Sequence, residues 1–350
     1  MSLPTATLET FPELLGEASA CRTSLWEFVH DSGLRSLVVG TSKNPNAKII
    51  ILLVSPASSR AVLAVKVPTT EAAARAVEAE WRVLGALRRL GLDSMGTIPR
   101  VVDVVDFEGR PALVMTALEG TPMSTSYLRW RYTARPAGVT AHFAAADTWL
   151  GGLQRATAAE LAALEMDAGV ASRLARRFSE DSRIDEDLDQ LGSIHARLRQ
   201  NTVRRTAIHG DFWVGNILLS RRHVSGVVDW EAGATSGEPV RDIVRFAIMY
   251  ALFLDRRTRP SRQVAGHHGL RAGEWGAGVE YALDGTGWFP ELFRGFLCEG
   301  LARLGASAGS WRDAALAGIA EVAALTDEDG FARRHLELFR RLVHRQARQR

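Results

Sequence analysis

Ile208–Leu219 reads IHGDFWVGNILL, and shortly after it Gly226–Glu231 reads GVVDWE. Asp211 and Asn216 stand five positions apart in a loop flanked by the strand-like pieces Ala207–Ile208 and Ile217–Leu219, while Asp229 closes the strand-like piece Val224–Val228. Three oxygen side chains thus emerge from neighbouring strand ends and can converge on one point. Taken singly, each has an ordinary explanation: a turn-forming Asp, a loop-capping Asn, a strand-end Asp, with His209 a packed or surface histidine. Their order changes the weighing. Magnesium takes oxygen ligands in near-octahedral geometry and keeps water and substrate phosphates in the rest of its shell, so one carboxylate and one amide suffice from the protein. The other carboxylate is then left to orient an attacking hydroxyl, the division of labour that metal-assisted phosphoryl transfer requires.

The sequence His209, Asp211, Asn216, Asp229 resembles the catalytic loop of the aminoglycoside phosphotransferase and choline kinase family, itself similar to protein kinases, whose loop reads His-Arg-Asp followed by Asn. The resemblance implies that Asp211 is the catalytic base, that Asn216 and Asp229 are magnesium ligands, and that ATP or GTP donates a phosphoryl group to a small-molecule hydroxyl acceptor. Gly210 stands where protein kinases carry Arg, and Trp230 and Glu231 where they carry Phe and Gly, which favours the small-molecule branch. In order and spacing the likeness runs from about Leu34 to Leu254.

Working back from this block, the text from Leu34 to Leu118 reads as short strands interrupted by one helix. Leu37–Gly40 and Ile49–Val54 flank a polar turn that contains Ser42 and Lys43, and Ala61–Val67, Val101–Phe107 and Ala112–Leu118 complete a small sheet. Thr70 is placed to cap a helix over Glu71–Leu90, ended by Gly91. The sequence has only three lysines, Lys43, Lys48 and Lys66, among 43 cationic Lys and Arg residues, so each invites a question. Lys66 lies on a strand, and Glu80 shares the apolar stripe of the helix with Val77, Leu84 and Leu87, whereas Glu78 faces another side. A strand lysine paired with a helix carboxylate resembles the family's phosphate-contacting ion pair. Lys43 and Lys48 can reach phosphate but read more simply as solvated turn lysines. By the same resemblance Ser42 belongs to a phosphate-covering loop, although Gly40–Asn46 lacks a Gly-x-Gly-x-x-Gly pattern, and the backbone of Thr116–Leu118 meets the nucleotide base.

Beyond Leu118 the pattern is helical over His142–Leu164, Glu186–Leu198, Asp242–Leu254, Leu292–Leu304, Ala314–Leu325 and Phe331–Val343, with Arg256–Gly287 read as a long surface loop or lid over the acceptor. The expected fold is α+β and bilobal, protein-kinase-like, with a small N-terminal antiparallel sheet and one main helix over residues 1–118 and a larger, mostly helical lobe over 119–350.

The formal charge of +3 gives no warrant for nucleic-acid binding, and no apolar run approaches the length of a membrane span. The first residues lack the pattern of a secretory signal, and Cys21 and Cys298 carry no close-spaced partner, so a reduced, cytoplasmic setting is expected. The sequence is silent on oligomeric state. For the acceptor pocket, the acidic run Glu180, Asp181, Asp185, Glu186, Asp187 and Asp189 suits a polycation but is more simply a solvated helix face. Trp130, Tyr132, Trp275, Tyr281 and Trp288 can wall a sugar or serve as packing, and the Arg-rich C-terminal helix is expected to dock by its apolar stripe with an exposed Arg face. Two other readings remain, a protein kinase and an inert nucleotide-binding scaffold. The first needs a long activation segment where only thirteen positions separate Asp229 from Asp242, and the second often lacks at least one of Lys66, Glu80, Asp211, Asn216 and Asp229.

Overall fold

The structure, a computed structural model, describes residues 23–41, 46–166 and 169–349. The chain divides into two compact units. One takes the described residues up to Thr121 together with Asn216–Thr235, and the other takes Pro122–Gly215 and Ser236 onward.

The first unit opens on α1 (Leu25–Ser32). A capping box starts it: Ser24 Oγ accepts from Glu27 N–H at 3.2 Å, and Glu27 accepts from Ser24 N–H at 2.9 Å. Strands β1 (Arg35–Thr41), β2 (Lys48–Val54), β3 (Ala61–Pro68), β4 (Val101–Phe107) and β5 (Arg110–Thr116) then form an antiparallel sheet in the order β1-β2-β3-β5-β4. Their Val, Ile and Leu content suits a pleated surface. On one face Leu53, Leu63, Val65, Val67, Val105, Ala112 and Val114 pack with Leu25 of α1. Fully burying each of the larger aliphatic side chains is worth ~1.5–3 kcal/mol.

Between β3 and β4 runs α2 (Glu71–Arg89), capped by Thr70 Oγ1, which accepts from Ala73 N–H at 3.1 Å. Its buried stripe is Ala73, Val77, Glu80, Leu84 and Leu87, so a carboxylate lies in the middle of an apolar face. The hairpin Ile217–Ser220 with His223–Val227 completes the unit.

The second unit is mainly helical: α3 (Met123–Tyr127), α4 (Pro136–Ala156), α5 (Val170–Arg177), α6 (Ile184–Leu198), α7 (Val240–Leu252), α8 (Ala277–Asp284), α9 (Trp288–Arg303), α10 (Trp311–Leu325) and α11 (Asp329–Gln349). Helix α10 is the centre of this unit, buried from Ala314 through Ala320, and Gly318 gives Val244 of α7 the room a Cβ would fill. Phe143, Phe246, Tyr250 and Phe296 interlock edge to face and at tilted angles with centroids 4.9–5.7 Å apart.

Several sequence expectations are corrected. The helix expected over His142–Leu164 stops at Ala156, because Leu161–Ala163 pairs as a strand with Thr202–Arg204. Alternating Ala and Leu carry no periodicity that separates the two. The strand expected to reach Leu118 ends at Thr116. Arg256–Gly287 is no plain surface loop: it contains α8 and buries Val264, His267, Leu270 and Ala272. Helix α11 does not leave all its arginines exposed, since Arg340 is buried between Asp181 and Asp187.

Candidate active site

In the first unit, β3 and α2 bring Lys66 and Glu80 together, and the turn after the hairpin brings Asp229 to the same ammonium. Lys66 Nζ donates to Glu80 Oε2 at 2.5 Å and to Asp229 Oδ1 at 2.6 Å. Glu80 is fully buried, and its second oxygen accepts from Trp230 N–H at 3.1 Å. Burial acts most strongly on Lys66 and disfavours its charge. The two carboxylates more than offset it, so the ammonium is held above the ordinary lysine range. Glu78, off the stripe, pairs instead with Arg82 one turn on.

Asp229 sits in the left-handed region, φ 73 and ψ 60, a conformation that costs a non-glycine residue ~1–2 kcal/mol. The neighbouring Trp230 is fully buried and fixes the turn, donating from Nε1 to Val227 O at 2.9 Å as well as from its backbone to Glu80. Asn216 is buried at the start of the hairpin, where its backbone carbonyl accepts from Val228 N–H at 2.9 Å. Asn216 and Asp229 are therefore near neighbours across a strand pair.

A second ammonium enters the cluster. Lys48 is buried, not solvated as its turn position suggested. It pairs with Glu231, lies 4.0 Å from Asp229 Oδ1, and shares Glu231 with Asn46, whose amide donates at 2.8 Å. Burial and the charge of Asp229 push the Glu231 carboxyl up, and Lys48 pulls it back. Carboxylate oxygens of Glu80, Asp229 and Glu231 lie within 4.8 Å of one another. Sequence reasoning missed Lys48, Asn46 and Glu231 as one group. The scarcity of lysine was the available signal.

Thr116 N–H donates to Arg100 O at 2.9 Å and Ala117 N–H to Val62 O at 3.0 Å, which leaves Leu118 as the backbone donor of Thr116–Leu118 not engaged among the described residues. Ser42, assigned to the phosphate loop, and Lys43 lie outside the described residues.

In the second unit, Asp211 comes after a bracketed turn. Asp242, buried on α7, accepts from His209 N–H at 2.7 Å and from Gly210 N–H at 2.8 Å, and Gly210 takes a positive φ of 78. Burial raises the Asp242 carboxyl; His209 and the two N–H groups oppose it. Asp211 N–H donates to His209 Nδ1 at 3.2 Å, which assigns the imidazole proton to Nε2. Arg245, one turn along α7, grips Asp211 Oδ1 with Nε at 2.9 Å and Nη2 at 2.6 Å. Both contacts use one oxygen. Asp242 and Arg245, three residues apart on one helix face, were unmarked in the sequence because they lie outside the loop they organise.

Of the acidic run, Asp181 and Asp187 hold Arg340, at 2.9 Å for Asp181 and 2.8 Å to Nε for Asp187, while Glu180, Asp185, Glu186 and Asp189 are exposed. Among the aromatic candidates, Tyr132 stacks on His142 and Tyr281 on Phe289, Trp275 meets His335 edge to face, and Trp288 lies tilted against His267. Trp130 stays exposed.

Comparison with known proteins adds to this geometry. A family model described as phosphotransferase enzyme family (APH) matches residues 52–279. No match is found among curated protein sequences. Among solved structures, the chain is similar to a thermostable mutant of aminoglycoside phosphotransferase APH(4)-Ia in ternary complex with AMP-PNP and hygromycin B, at 14% identity and TM-score 0.54, covering 92% of this chain and 98% of the other. It is also similar to a crystal structure of aminoglycoside phosphotransferase APH(4)-Ia, at 11% identity and TM-score 0.54, covering 91% and 96%. The streptomycin-ATP-APH(2'')-IIa ternary complex matches at 14% identity and TM-score 0.50, covering 92% and 97%. At such identities the likeness is one of fold. No helix among the described residues is long and apolar enough to cross a membrane.

Proposed function

Because this chain belongs to the phosphotransferase enzyme family, we propose that it transfers the γ-phosphoryl group of ATP or GTP to a hydroxyl of a small molecule. The observation that carries the reading is the buried Lys66 ammonium held at 2.5 Å and 2.6 Å between Glu80 and Asp229. A compact ammonium fixed in this way meets phosphate oxygens without reorganising, where electrostatic preorganisation counts most. Lys48, bracketed by Glu231, gives the same cluster a second positive group.

The residues fit a divalent cation, since the donor set is oxygen only and includes a half-exposed Asp229 beside Asn216. Asn216 and Asp229 would hold magnesium, which would supply positive charge to offset that of the phosphates. Leu118 offers its free backbone donor to the nucleotide base, with Thr116 setting the end of the strand.

Asp211 takes the hydroxyl proton. Arg245 and the His209–Asp242 bracket fix the carboxylate so that it meets the acceptor in one orientation, and holding the acceptor so is a large part of the barrier reduction. A small acceptor is supported over a peptide by the chain after Asp229: a short 3-10 turn (Trp230–Ala232) and a strand (Ala234–Gly237) lead straight into α7, with no long segment to seat a polypeptide.

The test is ADP release from ATP and GTP across aminoglycosides, free sugars, nucleosides, choline, macrolides and amino alcohols, repeated with sugar phosphates and hydroxy acids. Acceptor-dependent release with at least one small hydroxyl compound is expected. Release only with a protein substrate, or none with any acceptor despite nucleotide binding, overturns the reading.

A further inference from the structure

The second unit holds a cavity of about 600 Å³ bounded by the segment after α3 and the segment after α7. That size suits a small-molecule ligand. Its charge is one-sided. Arg129, Arg131, Arg256, Arg257, Arg259 and Arg262 line it and no carboxylate does, so it gathers twice the formal net charge of the whole chain. None of the six forms an ion pair with a carboxylate among the described residues. Elsewhere in the unit some arginines are paired, as in Arg197–Asp313, Arg241–Glu321 and Arg341–Glu280, while others such as Arg173 and Arg176 are not, among the described residues. The nearest acid in sequence, Asp255, accepts from Gly273 N–H at 3.3 Å and does not line the cavity.

The walls are fixed in place. Ser261 N–H donates to Ala272 O at 2.7 Å, Val264 N–H to Leu270 O at 2.9 Å, and Trp288 Nε1 to Gly266 O at 2.8 Å. His267 Nε2 meets Thr133 O at 2.9 Å and ties this segment to the one carrying Arg129 and Arg131. Arg131 and Ser261 both take positive φ, 56 and 65, which non-glycine backbone adopts only when its surroundings impose it. All six residues are exposed, so water and salt screen much of their mutual repulsion, and an anion bridging them would relieve what remains. Exposed Trp130 and the Phe253 ring, on which Arg256 already stacks at 5.8 Å, add flat apolar surface.

Phe253 lies eight residues beyond Arg245 along α7, about 12 Å at 1.5 Å per residue. Arg245 is the side chain that grips Asp211. The end of α7 that borders the cavity thus stands from Arg245 by about the length of a disaccharide or a nucleoside. We propose that the cavity binds an anionic group of the acceptor, phosphate or carboxylate, so that the substrate is an anionic hydroxyl compound such as a phosphorylated or carboxylated sugar or nucleoside. This rests on the phosphotransfer reading above. It departs from a polycationic acceptor, which six guanidinium groups repel. Guanidinium forks recognise such oxyanions in bidentate fashion.

Calorimetric titration of the protein saturated with AMP-PNP and Mg²⁺, which blocks the nucleotide site, tests the assignment with pyrophosphate, a hexose monophosphate, citrate and kanamycin as probes. At least one anion is expected to bind, more weakly as salt rises, and kanamycin is not. Arg256→Ala combined with Arg259→Ala is expected to weaken the anion about tenfold or more with AMP-PNP affinity and Tm unchanged, whereas Arg173→Ala, on the exposed side of α5, leaves it as it was. Kanamycin binding without anion binding, or equal anion affinity in the double variant, overturns the proposal. So does a short single-stranded RNA that binds and is not displaced by excess hexose phosphate. Acceptor-dependent turnover on an aminoglycoside with no anion binding would sink this inference and leave the phosphotransfer reading intact. Anion binding lost in the double variant, with no turnover on any acceptor, would do the reverse.

Discussion

Removing the carboxylate of Glu80 should unfasten the first unit in two separable steps. Both oxygens are used, one by Lys66 Nζ at 2.5 Å and one by Trp230 N–H at 3.1 Å, and the side chain is fully buried. Breaking a buried ion pair from one side costs about 3–5 kcal/mol, because the remaining charge is left without compensation. Asp229 at 2.6 Å still faces Lys66 and recovers part of that, which places Glu80→Gln at about 2–3 kcal/mol. Gln keeps an acceptor for Trp230. Ala does not, and a buried unsatisfied N–H adds about 1–3 kcal/mol, so Glu80→Ala should lose about 3–6 kcal/mol. Urea unfolding of the three proteins reads the differences directly, with m unchanged. A second readout is at hand: only three lysines are present, so the resonances of isotope-labelled lysine are easily assigned, and the pKa of Lys66 should fall in Glu80→Gln. Equal losses below about 1 kcal/mol in both variants, with the Lys66 titration unmoved, would refute the reasoning.

Lys66→Arg keeps the charge but substitutes a planar fork for a point ammonium in a site closed by two carboxylates, and kcat/KM should fall about a hundredfold or more while the fold survives; a loss under threefold in steady-state kinetics would contradict this. Gly278→Ala drives a Cβ into Ala251 O, a backbone atom that cannot step aside, and should cost about 2–3 kcal/mol in thermal or urea unfolding; an unchanged Tm would argue against that close packing of α8 on α7. Burial lowers His142, His267 and His335 from 6.5 to about 4. Their folded pKa lies below the unfolded one, so the stability they contribute is complete above pH 6.5 and is lost as pH falls toward 4. His142→Gln should flatten the slope of stability against pH in that window by up to about 1.4 kcal/mol per pH unit, and an identical slope would show that His142 is not held neutral.

What the sequence made legible divides along physical lines. The strand ladder was readable because β-branched runs alternate with turn residues, and β4 falls on the expected residues from Val101 to Phe107. Glu80 was readable because a carboxylate on a 3.6-residue apolar stripe has to be compensated. The roles of Asp242 and Arg245 were not, since their partners lie more than thirty residues away and only folding brings them to the Asp211 turn. The burial of Lys48 was hidden because exposure in a turn is a tertiary property. Arg256–Gly287 reads as a lid since Arg, Gly and His show no periodicity, yet the buried Val264, Leu270 and His267 anchor it. The arginines of the cavity come from two segments over a hundred residues apart, and a modest net charge hid their convergence.

The central claim is that Asp211 takes the proton of a small hydroxyl acceptor, and the most direct measurement is transfer of labelled γ-phosphate to an acceptor found in the panel, comparing wild type with Asp211→Asn. Asn preserves size and a hydrogen-bond acceptor toward Arg245 while removing the base. The account predicts acceptor phosphorylation reduced about 10²- to 10⁴-fold, with nucleotide affinity unchanged within about threefold. Undiminished phosphorylation in Asp211→Asn would contradict it.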